Sequence, residues 1–288
     1  MPHAARSRGQ AVLPNCQANE EYQVKRSIGS ATLANETAGG SGACLQYLPS
    51  YTERLEVSGM SQADPFVVEG TLRNVGIHVP EAIRECSGIS LYGHCVKSLL
   101  FSTDIAIIRN SDADAVLAVY PFTCQPAITQ ALLSAAEMPV LTGVGGAVTT
   151  GRRAVDLAVH SDMQGVAGVV VNASTDPATI SRMAERVDVP IVVTVTRLDC
   201  MAFDQIAAGA RIVNVAAAKE TPHVVADIRR AFPQMPIMAS GGTTDESILA
   251  TIDAGANAIS WTPPTLQELE RKIMDRHRQK NDLTVVAA

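Results

Sequence analysis

The chain has 288 residues, a net charge of −6 and a calculated pI of about 5.5. It carries no dense basic run, which leaves nucleic-acid binding without its electrostatic footprint. Hydrophobic residues make up 47% and aromatics only 4%, so Ala, Val and Ile must build the core, as suits strands covered on both faces.

No apolar stretch approaches the roughly 20 residues of a bilayer span, and no continuous apolar h-region opens the chain. Six scattered cysteines form no C-x-x-C pair, too sparse for a disulfide scaffold. The expected setting is cytoplasmic, with no membrane and no nucleic-acid partner.

Residues 1–59 are rich in Gly, Ala and small polar residues, as in ANETAGGSGACLQ, and show no sustained period. They read as a disordered extension, with Met60 as an alternative start. Residues 60–95 hold a short helix candidate, VPEAIREC, with Pro80 at its first turn, followed by the turn-rich connection SGISLYGH. From Val96 the pattern becomes regular. The strand candidates are VKSLLFS, AVLAVYPF, PVLTGVGG, GVVVNA, PIVVTVT, RIVNVAA, PIMASGG and AISWT. A short helical stretch follows the first. The later helix candidates are PAITQALLSAAE, GRRAVDLAVHSDMQ, DPATISRMAERV, FDQIAAGA, TPHVVADIRRAF, TDESILATIDAGA and TLQELERKIMDRHRQK.

Short unbroken apolar strands alternating with helices imply a parallel sheet with right-handed crossovers. An internal repeat closes the argument. Met138-Pro139, Val189-Pro190 and Met235-Pro236 open alternate strands, and Ala208-Gly209-Ala210 and Ala254-Gly255-Ala256 precede the ones between. That even rhythm predicts a closed (βα)8 TIM barrel over residues 96–280 rather than an open doubly wound sheet, with 281–288 as a tail.

In such a barrel the site lies where strands end and helices begin. The stretch IMASGGTTDESILATIDAGANAIS puts Ser240, Gly241, Gly242 and Thr243 at the end of the seventh strand and Ser260 on the eighth. Glycines there let backbone N–H groups approach an anion. The alternative is a plain turn with Thr243-x-x-Glu246 as a capping box. The stretch resembles the last two units of the ribulose-phosphate-binding barrel superfamily, which implies a phosphate cup and a small phosphorylated metabolite. It departs at Ser260-Trp261-Thr262-Pro263-Pro264, where two prolines remove donors, so the cup would lean on Gly241, Gly242, Thr243 and the hydroxyls of Ser260 and Thr262. The runs STDIAIIRNSDADAVLAVYPFT, GVGGAVTTG and GANAISWTPPT also resemble an uncharacterised bacterial barrel family labelled hydrolase.

Four residues are candidates to face the reacting part. Asp104 ends the first strand, as general base or helix cap. Lys219 follows the sixth, as Schiff-base amine, anion contact or exposed loop residue. Asn172 and Asn214 end the fourth and sixth. Thr194 and Thr196 line one face of the fifth. Tyr120, Phe122 and Cys124 form either an aromatic wall or core. Gly143, Gly145 and Gly146 could admit a flavin ring. Arg197 is either a carboxylate clamp or the partner of Asp199. The six histidines form no metal motif, and no G-x-S-x-G elbow is present. No metal and no cofactor is predicted, with FMN as the alternative.

The expected function is lyase or isomerase chemistry on an anionic, phosphorylated small-molecule substrate. A hydrolase, a flavin oxidoreductase and a non-catalytic metabolite sensor are the alternatives. A homo-oligomer is left open.

Overall fold

Eight parallel strands close a ring in the order β10-β3-β4-β5-β6-β7-β8-β9. They are β3 (Ser98–Phe101), β4 (Ala115–Ala118), β5 (Val140–Gly145), β6 (Gly168–Val171), β7 (Ile191–Val195), β8 (Ile212–Val215), β9 (Ile237–Ser240) and β10 (Ala258–Trp261). The computed structural model describes residues 76–146 and 148–286; the expected extension over 1–59 lies outside them. Between and after the strands run α1 (Ile105–Arg109), α2 (Pro126–Ala135), α3 (Gly151–Gln164), α4 (Pro177–Ala184), α5 (Cys200–Ala207), α6 (Thr221–Ala231), α7 (Asp245–Asp253) and α8 (Leu266–Val286). α8 continues past Lys280, where the sequence pattern predicts the barrel's end. Among the described residues, no helix is long and apolar enough to cross a membrane.

The strand parity sorts every side chain. Leu99, Leu117, Leu141, Val170, Val192, Ile212, Met238 and Ala258 point into the ring and form one cluster. Their neighbours Leu100, Val116, Val140, Val169, Val171, Val193, Val213 and Ile259 point outward and pack with the helices. Both sets are buried, which is why these strands read as unbroken apolar runs rather than alternating ones. Each fully buried side chain contributes about 1.5–3 kcal/mol.

Two helix ends explain the repeated Ala-Gly-Ala. Gly209 and Gly255 follow α5 and α7 with φ of 128° and 111°. Those are left-handed conformations that stop a helix and that residues with a Cβ resist. Ala210 and Ala256 then tuck under the next strand, both buried.

The segment before the barrel differs from its sequence expectation. SGISLYGH is a hairpin: β1 (Ile89–Leu91) pairs antiparallel with β2 (His94–Val96). Ile89, Leu91 and Val96 join the inner cluster with Leu99 and Ala115, so the hairpin stoppers the N-terminal end of the ring. Val96 therefore ends β2, and β3 starts at Ser98. Asp114 fixes that junction, accepting from Lys97 N at 3.0 Å, Ser98 N at 2.8 Å and Ser98 Oγ at 2.8 Å. VPEAIREC forms a 3-10 turn over Glu81–Glu85, with Pro80 at its N-cap position rather than inside the first turn.

Candidate functional site

The strands end on a cavity of about 770 Å³ at the opposite pole of the ring from the hairpin. The inward parity carries past the apolar layer. One step beyond Val170, Val192, Ile212, Met238 and Ala258 stand Asn172, Thr194, Asn214, Ser240 and Ser260, and all five line the cavity. A further step adds Thr196, Ala216, Gly242 and Thr262. The floor is thus apolar and the wall above it hydroxyl and amide. Phe101, Tyr120, Phe122, Val148 and Trp261 complete the wall, and Phe122 is 72% exposed, so the rim is aromatic and wet on its outer side.

Asn214 is buried in the wall of the mouth, at 7% exposure. It sits opposite Thr194 in the β7–β8 register, and its Nδ2 donates to Thr194 Oγ1 at 3.2 Å. Asn172 accepts from Ser174 N at 3.3 Å. Tyr120 Oη accepts from Gln125 N at 2.9 Å. Burial pushes its phenol above the ordinary value, with Cys124 nearby adding to the rise. Cys124 is buried, its Sγ 3.6 Å from Thr129 Oγ1. Thr149 Oγ1 donates to Thr123 Oγ1 at 3.0 Å, joining the loops after β4 and β5 on one side of the mouth.

The glycine loop after β9 divides by role. Gly241 is buried and does not line the cavity; a Cβ there would lie 2.6 Å from Ile259 Cγ2 and 2.9 Å from Ile248 Cγ1. It packs the loop against β10 and α7. Gly242 lines the cavity with φ of 81°, and Thr243 stands beside it. The helix cap falls one residue later than the sequence suggests. Thr244, not Thr243, is the N-cap of α7, and Ser247, not Glu246, completes its capping box. Ser247 Oγ also donates to Gly241 O at 2.8 Å. α8 is closed likewise: Thr265 N and Oγ1 both donate to Glu268 Oε2, and Glu268 N donates to Thr265 Oγ1. Both helix N-termini thus spend donors on their own caps.

Three sequence candidates stand apart from the cavity. Asp104 is the N-cap of α1 and accepts from Ala106 N at 2.8 Å and Ile107 N at 3.2 Å. Lys219 is exposed on a 3-10 turn, Ala218–Glu220. Arg197 pairs with Asp199 at 2.6 Å, and Asp199 itself caps α5 by accepting from Ala202 N. The cap and ion-pair readings of Asp104 and Arg197 describe their contacts. His160 and His223 are exposed on α3 and α6. Phe101, Val148, Trp261 and Ala216 line the mouth without having been singled out. Extending each strand's period-two parity beyond its apolar run would have found Phe101 and Ala216.

Among the described residues, no Asp, Glu, His, Lys or Arg side chain lines the cavity. Among the described residues, no group of three or more His, Cys, Asp or Glu could hold a metal ion.

No protein-family model matches the chain, and no curated protein does. Solved structures do. A phosphonopyruvate hydrolase, in complex with oxalate and Mg++, superposes with a TM-score of 0.52 at 10% identity, covering 66% of this chain and 85% of that one. A phosphoenolpyruvate phosphomutase from Streptomyces platensis subsp. rosaceus gives 0.50 at 12% identity, covering 66% and 83%. A 2,3-dimethylmalate lyase of the PEP mutase/isocitrate lyase superfamily gives 0.47 at 10% identity, covering 72% and 83%. At these identities the likeness shows the barrel fold. The barrel implied by the sequence resemblance stands, and the likeness gives no support to the ribulose-phosphate-binding superfamily.

Proposed function

We propose that the chain is a small-molecule barrel enzyme that works at this mouth, by lyase or isomerase chemistry on a carbonyl-bearing metabolite. The observation that supports it is the convergence of polar residues from five strands, Asn172, Thr194, Asn214, Ser240 and Ser260, on one cavity of about 770 Å³. That size suits a metabolite. Thr194 and Asn172 can donate to a carbonyl oxygen and steady the charge that develops on it. Tyr120 lines the same mouth; burial keeps its phenol protonated, which suits it to donate a hydrogen bond to that oxygen rather than to give up its proton.

A phosphorylated substrate would be gripped by the N–H groups of Gly242 and Thr243 and the hydroxyls of Ser240, Ser260 and Thr262. Among the described residues no lysine or arginine side chain lines the cavity to neutralise it, so from these residues such an anion would draw on dipoles. The phosphonopyruvate hydrolase carries Mg++; the hydroxyls and amides here do not match the carboxylate-rich oxygen sets that hold that ion, and no step is drawn through it.

A second reading is favoured by the same lining. Without an ionised side chain in the wall, the mouth is better furnished for holding a ligand than for abstracting a proton, as in a non-catalytic sensor. A thermal-shift screen of keto acids, phosphorylated sugars and uncharged metabolites, followed by NMR of each hit over hours, separates the two. Hits that are consumed support the enzyme, and hits that only stabilise the protein support the sensor. Hits unchanged by Ser240→Phe, which fills the mouth, would remove both.

A further inference from the structure

Asn214 has hydrogen-bonding capacity that its protein neighbours do not use. Its Nδ2 donates to Thr194 Oγ1, but its Oδ1 is buried with no hydrogen-bond partner among the described residues. Buried polar atoms in native folds are nearly always satisfied. This one belongs to a side chain that lines the cavity, so a small turn of the amide would present it to a ligand there.

As oriented here the orphan is an acceptor, which asks for a donor. A carboxylate or phosphate oxygen would face it lone pair to lone pair. An ammonium or guanidinium would satisfy it, but no Asp or Glu side chain among the described residues lines the cavity, so a cation would lose its water without gaining a counter-charge from them. An uncharged N–H or O–H remains. Close to it, the Thr194 hydroxyl accepts from Asn214 and keeps its own hydrogen to give. Rotating the amide by 180° would exchange donor and acceptor and still present one of each. An ion complements neither arrangement. Phe101, Tyr120, Phe122 and Trp261 supply flat apolar surface further out.

We infer that the mouth recognises an uncharged ligand whose inner end is an amide or lactam edge, an N–H beside a C=O, carried on a flat apolar ring and read by Asn214 and Thr194. This rests on the mouth being the ligand site, and it names what that site selects.

The test uses four probes that share one ring: benzamide, N,N-dimethylbenzamide, benzoate and benzylamine. Binding to the full chain is followed by ligand-observed NMR. Benzamide is expected to bind about tenfold more tightly than the other three, the effect of roughly one hydrogen bond. Asn214→Leu, close to isosteric, is expected to erase that preference while dimethylbenzamide still binds. Thr194→Val provides a second variant that removes the hydroxyl with little change of shape. Dimethylbenzamide or benzoate binding as tightly as benzamide overturns the inference. If the four bind alike and Ala216→Phe abolishes them all, the mouth survives as the site and only the amide selection falls. If Ala216→Phe changes nothing, or no probe binds, both fall.

Discussion

Arg229 Nη2 donates to Asn257 Oδ1 at 2.6 Å, and through that bond two loops at the stoppered end of the barrel become one unit. The same guanidinium donates to Gly255 O, Pro233 O and Met235 O. Asn257 Oδ1 also accepts from Ile237 N at 2.9 Å, and its Nδ2 donates to Ser87 Oγ at 2.9 Å. No carboxylate appears among these contacts. Burial lowers the arginine's pKa, but a guanidinium stays charged at any ordinary pH. Arg229→Lys cannot reproduce the planar fork and is expected to cost about 2–3 kcal/mol in urea unfolding. Asn257→Ala is expected to cost a similar amount, and the double variant less than the sum, because the two residues share partners.

Gly242 and Ser247 leave no room for an added methyl group. A Cβ on Gly242 would collide with Ser247 Oγ, on a backbone with φ of 81°. Gly242→Ala is therefore expected to destabilise by about 1–3 kcal/mol. Ser247→Ala clears the Oγ but removes its half of the α7 capping box, the acceptance from Thr244 N, and its donation to Gly241 O, for a loss of about 1 kcal/mol. Adding Gly242→Ala to Ser247→Ala should then cost less than Gly242→Ala alone. A chemical denaturation series on the three variants measures that coupling.

Acid should weaken the segment before the barrel. Burial alone would raise the Asp112 carboxyl. The Val79 N–H at 2.8 Å, His78 Nδ1 at 3.0 Å and Arg84 Nη2 at 3.1 Å instead hold it below its ordinary value. A carboxyl lowered in the folded state takes up its proton later than in the unfolded chain. Its stabilisation is complete above about pH 4 and is lost as the pH falls through the folded-state value. Asp112→Asn is expected to flatten the acid limb of a stability–pH curve and to leave its shape near pH 7 unchanged. An acid limb identical in the two proteins would refute this.

The four cysteines in the described residues should separate by reactivity. Cys95 and Cys200 are exposed, and Cys86 and Cys124 are buried. Burial pushes the Cys86 thiol up to about 11, so little of it is thiolate at neutral pH. Iodoacetamide at pH 8, read by peptide mass spectrometry, is expected to label Cys95 and Cys200 within minutes. Cys86 and Cys124 should be labelled only after unfolding.

The barrel was legible because its signals are local and repeated. An apolar residue and proline before a strand, Ala-Gly-Ala after a helix and a four-residue apolar run each recur, and each has one physical cause. The hairpin at Ile89–Val96 was not legible, because Ser90, Tyr92 and His94 interrupt its apolar residues so densely that only the inner cluster reveals which side chains matter. At the mouth, Asn172, Thr194, Asn214, Ser240 and Ser260 were found by reading polar residues at strand ends. Asp104 and Lys219 were read the same way, but a strand end does not say which way a loop turns. Asp104 turned back to cap α1, and Lys219 sits out on its turn. The change of a threonine cap from 243 to 244 has the same origin: two adjacent threonines offer the same chemistry, and only the φ of Gly242 chooses between them.

The ring is sealed by β3 lying against β10, with Ile259 beside Ser98 and Trp261 beside Leu100, and by Gly88 N donating to Asn257 O at 2.8 Å. A ribosome delivers β3 first and β10 last. Until the final strand emerges, the nascent sheet has two raw borders whose peptide groups can pair with any passing strand. Closure must then join segments from nearly the two ends of the barrel sequence, a slow kind of contact to make. Synthesis of this protein therefore includes an interval in which the unclosed sheet is open to pairing with other strands.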